Sequence, residues 1–272
     1  MLADLHTHST ASDGALHPGE LIGRAIERGV THLAITDHDT VAAYSPDLPR
    51  GRVHLIPGIE LSTVWRKIGV HIVGLNIDLD NPELAEGIRQ QQNARRRRAE
   101  TIAKRLMKAG IDDPLPAVTA LAGSSTIGRP HFAQHLVDIG HVRDLRQAYK
   151  KYLGDGKTGD VRQHWASLPE VVGWIRAAGG VAVLAHPAHY GQTMTKLREL
   201  LTDFHDAGGR AIEVVSGRQD AATTRRLAGL AMEFSLLASC GSDFHRPAGH
   251  GADLGCFAPL PPECRPVWDD WV

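Results

Sequence analysis

The chain has 272 residues, of which 42% are hydrophobic, enough to bury a core in one large domain or in a domain that carries an insertion. Its 30 basic and 31 acidic residues nearly cancel, so overall charge gives no argument for a membrane, double-stranded DNA or any other polyanion as a partner, and a polyanion site must be local. The three cysteines, Cys240, Cys256 and Cys264, contain no C-x-x-C pair, which argues against a disulfide framework or a thiolate zinc site and fits a reducing, cytoplasmic setting.

In chain order, the first residues lack the basic start and apolar run of a signal peptide, and no stretch approaches the ~20 apolar residues of a membrane span. Residues 3–8 predict a strand. Pro18 predicts a helix start, with Leu21, Ala25 and Ile26 on its apolar face and Gly29 as its stop. Strands follow over 32–36, 53–59 and 70–77. Between Asn81 and Trp165 the strand signal vanishes, and helices are predicted over 82–109, 130–139 and 143–152. The alternation then resumes: helix 168–178, strand 181–185, helix 195–207, strand 211–215, helix 220–233 and strand 236–240. The strand runs are mostly continuous and β-branched rather than alternating, as in parallel strands covered on both faces. An α/β fold follows, a barrel or open sheet of seven strands. Residues 1–89 and 164–272 make up this domain, and 90–163 form a helical insertion.

Sixteen histidines are many for this length, and histidine is both the commonest metal ligand and a general acid or base. Five polar clusters sit near predicted strand boundaries. His6-Thr7-His8 opens the chain, with Asp13 just beyond; residues two apart on a strand share a face, so both rings can approach one ion. Thr36-Asp37-His38-Asp39-Thr40 leaves a strand end, where α/β folds place their sites. Pro57-Gly58-Ile59-Glu60 offers a carboxylate able to bridge two ions. His71 follows at the start of its strand, where that strand-end rule does not place ligands. Ala185-His186-Pro187 and Gly241-Ser242-Asp243-Phe244-His245 complete the set, Gly241 permitting close backbone approach. One ion needs about four ligands, and His with carboxylates suits Zn, Mn or Fe. Six histidines, two aspartates and one glutamate suit two or three ions.

H-T-H with S-D-G, T-D-H, P-G-I-E with its later His, A-H-P and G-S-D-F-H occur here in the order of the PHP (polymerase and histidinol phosphatase) family, and the chain resembles that family along its length. The resemblance implies a distorted (β/α)7 barrel and a phosphoesterase with up to three divalent metal ions, Mn being favoured over Fe and Zn. It implies His6, His8, Glu60 and Asp243 as ligands of one ion, Glu60, His71 and His186 of a second, and Asp13, His38 and His245 of a third. Asp243, His245 and Glu60 become the catalytic candidates. Within the insertion, Gly128-Arg129-Pro130-His131-Phe132-Ala133 and Lys151-Tyr152-Leu153-Gly154-Asp155-Gly156-Lys157 resemble one branch of the family, with Pro130 standing where that branch has Thr. That branch holds nucleoside 3′,5′-bisphosphate phosphatases and the 5′→3′ exoribonuclease RNase AM.

The expected reaction is removal of the 3′-phosphate from a nucleoside 3′,5′-bisphosphate, with stepwise hydrolysis of short 5′-phosphorylated RNA as runner-up. A histidinol-phosphate-type phosphatase and a non-catalytic module bound to a polymerase are the alternatives. A substrate with two phosphates needs a cationic clamp away from the metals. Arg129 can bind phosphate bidentately, Lys157 as a point charge, and His131 is a further donor. Arg95-Arg96-Arg97-Arg98 point in all directions on a helix, at ~100° each, and read as a solvated helix.

Overall fold

The computed structural model describes residues 1–49, 51–161, 164–247, 251–269 and 271. Among these residues, seven strands form one sheet in sequence order: β1 (Ala3–Asp4), β2 (His32–Ile35), β3 (His54–Trp65), β4 (Ile68–Leu75), β5 (Val181–Leu184), β6 (Ala211–Ser216) and β7 (Leu237–Gly241). The two ends of the sheet meet. The Leu5 N–H donates to the Cys240 carbonyl at 3.0 Å, Asp243 N–H to His6 at 2.9 Å and His8 N–H to Phe244 at 2.9 Å. The result is a small, nearly closed barrel. Regular β1 pairing is shorter than the predicted 3–8, because residues beyond Asp4 leave the ladder to carry the histidines.

The uniformly parallel sheet suggested by the apolar runs is corrected at β4. It runs antiparallel to both β3 and β5, whereas the remaining adjacent pairs are parallel. The cause is local. β3 continues six residues past the predicted end at 59, leaving only Arg66 and Lys67 between the strands, with Arg66 at φ +53°. A two-residue link closes a hairpin and cannot make a parallel crossover.

Ala34, Ile56, Val73, Val183 and Ala211 come from five different strands and pack together inside the barrel. The strand period of two then directs Glu60 on β3, His71 on β4 and Glu213 on β6 to the same inner side, above that apolar plug. Outside, helices α1 (Pro18–Glu27), α6 (Leu168–Ala177), α7 (Met194–Asp206) and α8 (Ala221–Glu233) cover the sheet. On α6, Leu168, Val171, Val172 and Ile175 are buried at helical spacing, each contributing roughly 1.5–3 kcal/mol. Its start is capped where the Ser167 N–H donates to Glu170 at 2.8 Å.

The long segment between β4 and β5 begins with α2 (Pro82–Lys108), capped by Asn81, whose side chain accepts the Leu84 N–H. Its first half lies on the barrel: Leu84 is buried, and a Cβ on Gly87 would sit 2.3 Å from the Trp174 ring. Its second half belongs to a separate apolar cluster with α3 (Leu115–Ala122), α4 (Arg129–Asp138) and α5 (Leu145–Ala148), which runs on into a π-helical turn over Tyr149–Leu153. α3 has no sequence forecast, since Leu115-Pro116-Ala117-Val118 shows no amphipathic period. The predicted end of the insertion at Gln163 lies outside the described residues. Among the described residues, no helix is long and apolar enough to cross a membrane.

Gly241 sits at the barrel seam, where an added Cβ would lie 2.4 Å from the His6 Cβ and 2.7 Å from its backbone nitrogen. Gly241→Ala should therefore destabilise the fold by roughly 1–3 kcal/mol, read from the urea midpoint. A midpoint equal to that of the unaltered protein would contradict this packing.

Candidate metal centre

All nine predicted ligands converge at one end of the barrel. Glu60, fully buried on β3, is the hub. Its Oε1 lies 2.8 Å from His71 Nδ1 and 3.0 Å from His186 Nε2. Its Oε2 lies 2.9 Å from His38 Nδ1, 3.3 Å from His8 Nε2 and 3.4 Å from His6 Nε2. Asp243 Oδ1 faces the same two N-terminal rings, 3.6 Å from His6 Nε2 and 3.4 Å from His8 Nε2. Asp13 completes the far side, 3.4 Å from His245 Nε2, 3.8 Å from His8 Nδ1 and 3.9 Å from His38 Nε2. The reversed direction of β4 explains His71: the start of an antiparallel strand lies beside the ends of its parallel neighbours, in register with Ser62 two residues past Glu60.

Backbone distortion aims several of these groups. His186 has φ +27°, Asp243 φ +51° and Asp39 φ +53°, conformations that cost about 1–3 kcal/mol each and persist only where surrounding contacts impose them. The T-D-H run divides its labour. Only His38 reaches the cluster. Asp37 accepts from the Ser9 N–H at 2.8 Å and from the Ser9 and Ser12 hydroxyls at 2.5 Å, fastening the loop that carries Asp13. Asp39 accepts from Arg95 Nε at 2.6 Å and from the Ser62 N–H at 2.8 Å.

Among the described residues, four sets of donors each lie within 4.8 Å of one another: His8, Asp13, His38 and His245; His6, Glu60 and His186; His6, His8 and Asp243; His38, Glu60 and His71. Within these sets His6 Nε2, both nitrogens of His8, His38 Nδ1 and Glu60 Oε2 are buried without a hydrogen-bond partner. Buried polar atoms are rarely left unsatisfied, and imidazole nitrogens aimed with carboxylate oxygens at shared points are what a divalent cation requires. The residues present thus fit divalent metal ions. The electrostatics agree. Burial would raise the Glu60 pKa, yet His38, His71 and His6 hold it well below the usual carboxylate range. Burial opposes protonation of His6, yet Glu213, Glu60 and Asp243 push its pKa well above the ordinary histidine value. A cation and a proton compete for the same lone pairs in such a cluster.

The cluster forms one wall of a cavity of about 810 Å³, reached by Asp13, His38, His71, His186, Asp243 and His245. His189 and Tyr190 line it as well, as do Arg95, Arg98, Arg129, Tyr149 and Trp165 from the insertion side. The solvated reading of 95–98 is corrected for two of the four arginines. Arg95 and Arg98 are 7% and 8% exposed, and both guanidinium groups lie against Trp165, 5.3 and 5.4 Å from its centroid. Four successive residues point in different directions, so two of them can face inward; the composition of the run could not say which. Arg98 Nε donates to the Val161 carbonyl at 2.7 Å, and burial together with the Arg129 and Arg95 charges lowers its pKa to about 9. Arg129 Nη1 donates to the Leu153 carbonyl at 3.2 Å. The other two insertion candidates stand apart from the lining. His131 Nδ1 accepts the Gly128 N–H at 3.1 Å at the start of α4, and Lys157 is exposed on a turn.

The barrel and its histidine–carboxylate cluster combine an α/β fold with a donor set suited to divalent cations. The PHP domain model matches residues 4–207, and the chain belongs to the PHP family. It is 44% identical over 269 residues to a 3′,5′-nucleoside bisphosphate phosphatase of Chromobacterium violaceum, covering 97% of this chain and 94% of that one. It is 42% identical over 276 residues to the 5′-3′ exoribonuclease Rnm of Escherichia coli, covering 100% and 94%. A solved structure described as an amidohydrolase from Chromobacterium violaceum, with bound sulfate and no metal, superposes with a TM-score of 0.91 at 42% identity over 99% of this chain and 95% of that one. Family and relatives together make the chain a hydrolase of phosphate ester bonds.

Adding Mn²⁺ at about 100 times its Kd to metal-stripped protein should stabilise it by ~2.7 kcal/mol per site, a rise in Tm on the order of 5–10 °C. Glu60→Gln should abolish most of that rise in a calorimetric scan. An unaltered protein whose Tm ignores Mn²⁺, Fe²⁺ and Zn²⁺ alike would remove the case for an ion in the cluster.

Proposed function

We propose that the protein removes the 3′-phosphate from nucleoside 3′,5′-bisphosphates. The observation that carries this reading is a single cavity lined both by metal-type donors and by arginines of the insertion. A substrate with two phosphates matches both kinds of lining: one group meets the donor cluster while Arg98 and Arg129 hold the second by charge-assisted bonds. The insertion, residues 90–163, thereby contributes to substrate binding.

On this reading His6, His8, Glu60 and Asp243 hold one divalent ion, Glu60, His71 and His186 a second, and Asp13, His38 and His245 a third, with Mn²⁺ favoured. His8 Nδ1 also points towards Asp13, so it stands between the first set and the third. Such ions supply Lewis-acid polarisation of the phosphoryl oxygens and lower the pKa of water. The chain does the positioning. Arg98 and Arg129 fix the far phosphate, and Trp165 keeps the Arg98 guanidinium in place. Asp243, 23% exposed at the cavity wall, can accept a proton from the attacking water, and its backbone carbonyl accepts the His245 Nδ1–H at 2.9 Å, which leaves His245 Nε2 directed at Asp13. The three free cysteines support a cytoplasmic setting.

The cavity volume lies in the upper part of the range for small-molecule pockets and leaves room beyond one mononucleotide. This favours, as the second reading, 5′→3′ hydrolysis of short 5′-phosphorylated RNA at the equivalent 3′-oxygen bond. Initial rates on pAp beside a 5′-phosphorylated RNA oligomer separate the two. Activity on histidinol phosphate alone would overturn both.

Arg98→Ala and Arg129→Ala should each lower kcat/KM on pAp by roughly 10–100-fold, the worth of one charge-assisted bond. Hydrolysis of p-nitrophenyl phosphate, which has no second phosphate, should change little. An equal loss on both substrates would show that neither arginine binds the distal group. Asp243→Asn should abolish turnover on every ester, whereas a polymerase-bound scaffold would keep its complex.

A further inference from the structure

Glu213 belongs to none of the sequence motifs, yet it is a carboxylate only 2% exposed on the inner side of β6. Burying a carboxylate costs several kcal/mol unless its oxygens find partners. Both oxygens do. Oε1 lies 3.1 Å from His6 Nδ1, and Oε2 accepts the backbone N–H of His186 at 2.5 Å. One side chain therefore grips two donors from widely separated parts of the sequence. The two contacts do different things. At His6, a carboxylate beside Nδ1 requires the proton there, which leaves Nε2 unprotonated; Nε2 is the atom that faces Glu60 Oε2 and Asp243 Oδ1. At His186, the captured N–H lies in the residue with φ +27° and ψ 56°, a backbone that needs a fastening, and this turn brings His186 Nε2 to Glu60 Oε1. The register of β6 against β7 shifts between Glu213 and Val215, the kind of irregularity that re-aims a side chain.

The structure assigns Glu213 as a positioning residue for the metal centre: it fixes the tautomer of His6 and the turn of His186, and touches neither ion nor substrate. The assignment rests on the metal-centre reading given above. Because it sets two donors at once, its loss should act on ion affinity before it acts on chemistry. A carboxylate that orients a ligating imidazole is worth about 10–100-fold in metal affinity.

Glu213→Gln keeps the shape but presents an amide that cannot accept from both His6 and His186. Titration of the metal-stripped proteins with Mn²⁺ should show the two sites that use His6 and His186 weakened by about 10–100-fold, with the third site, of Asp13, His38 and His245, and the circular dichroism spectrum retained. Activity should be largely recovered at saturating Mn²⁺, so that the defect lies in the metal concentration needed for half-activity. Glu213→Asp should recover part of the affinity. Unchanged Mn²⁺ affinity in Glu213→Gln would overturn the assignment. A second reading needs no variant. In the unaltered protein loaded with diamagnetic Zn²⁺, long-range ¹H–¹⁵N spectra should show His6 protonated at Nδ1 and metal-bound at Nε2; the opposite tautomer would overturn it. If the unaltered protein takes up no divalent ion, the metal-centre reading itself fails, an outcome distinct from an affinity that the substitution leaves untouched.

Discussion

Everything at the open end of this barrel is arranged around one buried carboxylate. Glu60 has no access to solvent, and its two oxygens face five imidazoles contributed by four regions of the chain. A lone carboxylate in such a place would be neutralised by a proton. Here the surrounding nitrogens favour its charge, and the nitrogens that lack partners favour a cation among them. The apolar plug below and the polar cluster above are consequences of the same strand period, in which alternate side chains of β3, β4 and β6 are divided by height rather than by face.

The sequence was most informative where chemistry and period coincide. Continuous apolar runs revealed all seven strands, and motif order pointed to the PHP family and hence to the barrel. The nine candidate ligands are found together. The direction of β4 was not legible, because an apolar run has no polarity; only the two-residue link after Trp65 sets it, and the polar-looking stretch from Glu60 to Thr63 hid the length of β3. His71 looked misplaced for that one reason. Asp37 and Asp39 resembled ligands because carboxylates that hold loops and carboxylates that hold ions are chemically identical; only contacts distinguish them.

The insertion shows the opposite limit. Its helices were partly readable from their starts, such as Asn81-Pro82, but nothing in Arg95-Arg96-Arg97-Arg98 tells which two face inward. That depends on Trp165, seventy residues away, and on the Asp39 and Ile127 groups that Arg95 reaches. Glu213 lies outside the sequence motifs for a related reason: an acid inside Ala211-Ile212-Glu213-Val214-Val215 resembles an interruption in a strand. A buried acid in an otherwise apolar run is itself the signal, since it demands a nearby donor. Arg95 also joins the T-D-H loop to the turn before α4, so the metal centre and the cationic wall share a physical support.

The hairpin of β3 and β4 has a consequence for how the molecule is assembled. Glu60 and His71 are only eleven positions apart and meet within one local turn, so that part of the centre can form early and rapidly. His6 and Asp243 meet only when the two ends of the sheet join, across a separation of well over two hundred positions, and loop closure of that span is slow. The donor cluster is therefore complete only once the two ends of the sheet have met, and a bound cation would act as a latch on a ring that the chain has already closed.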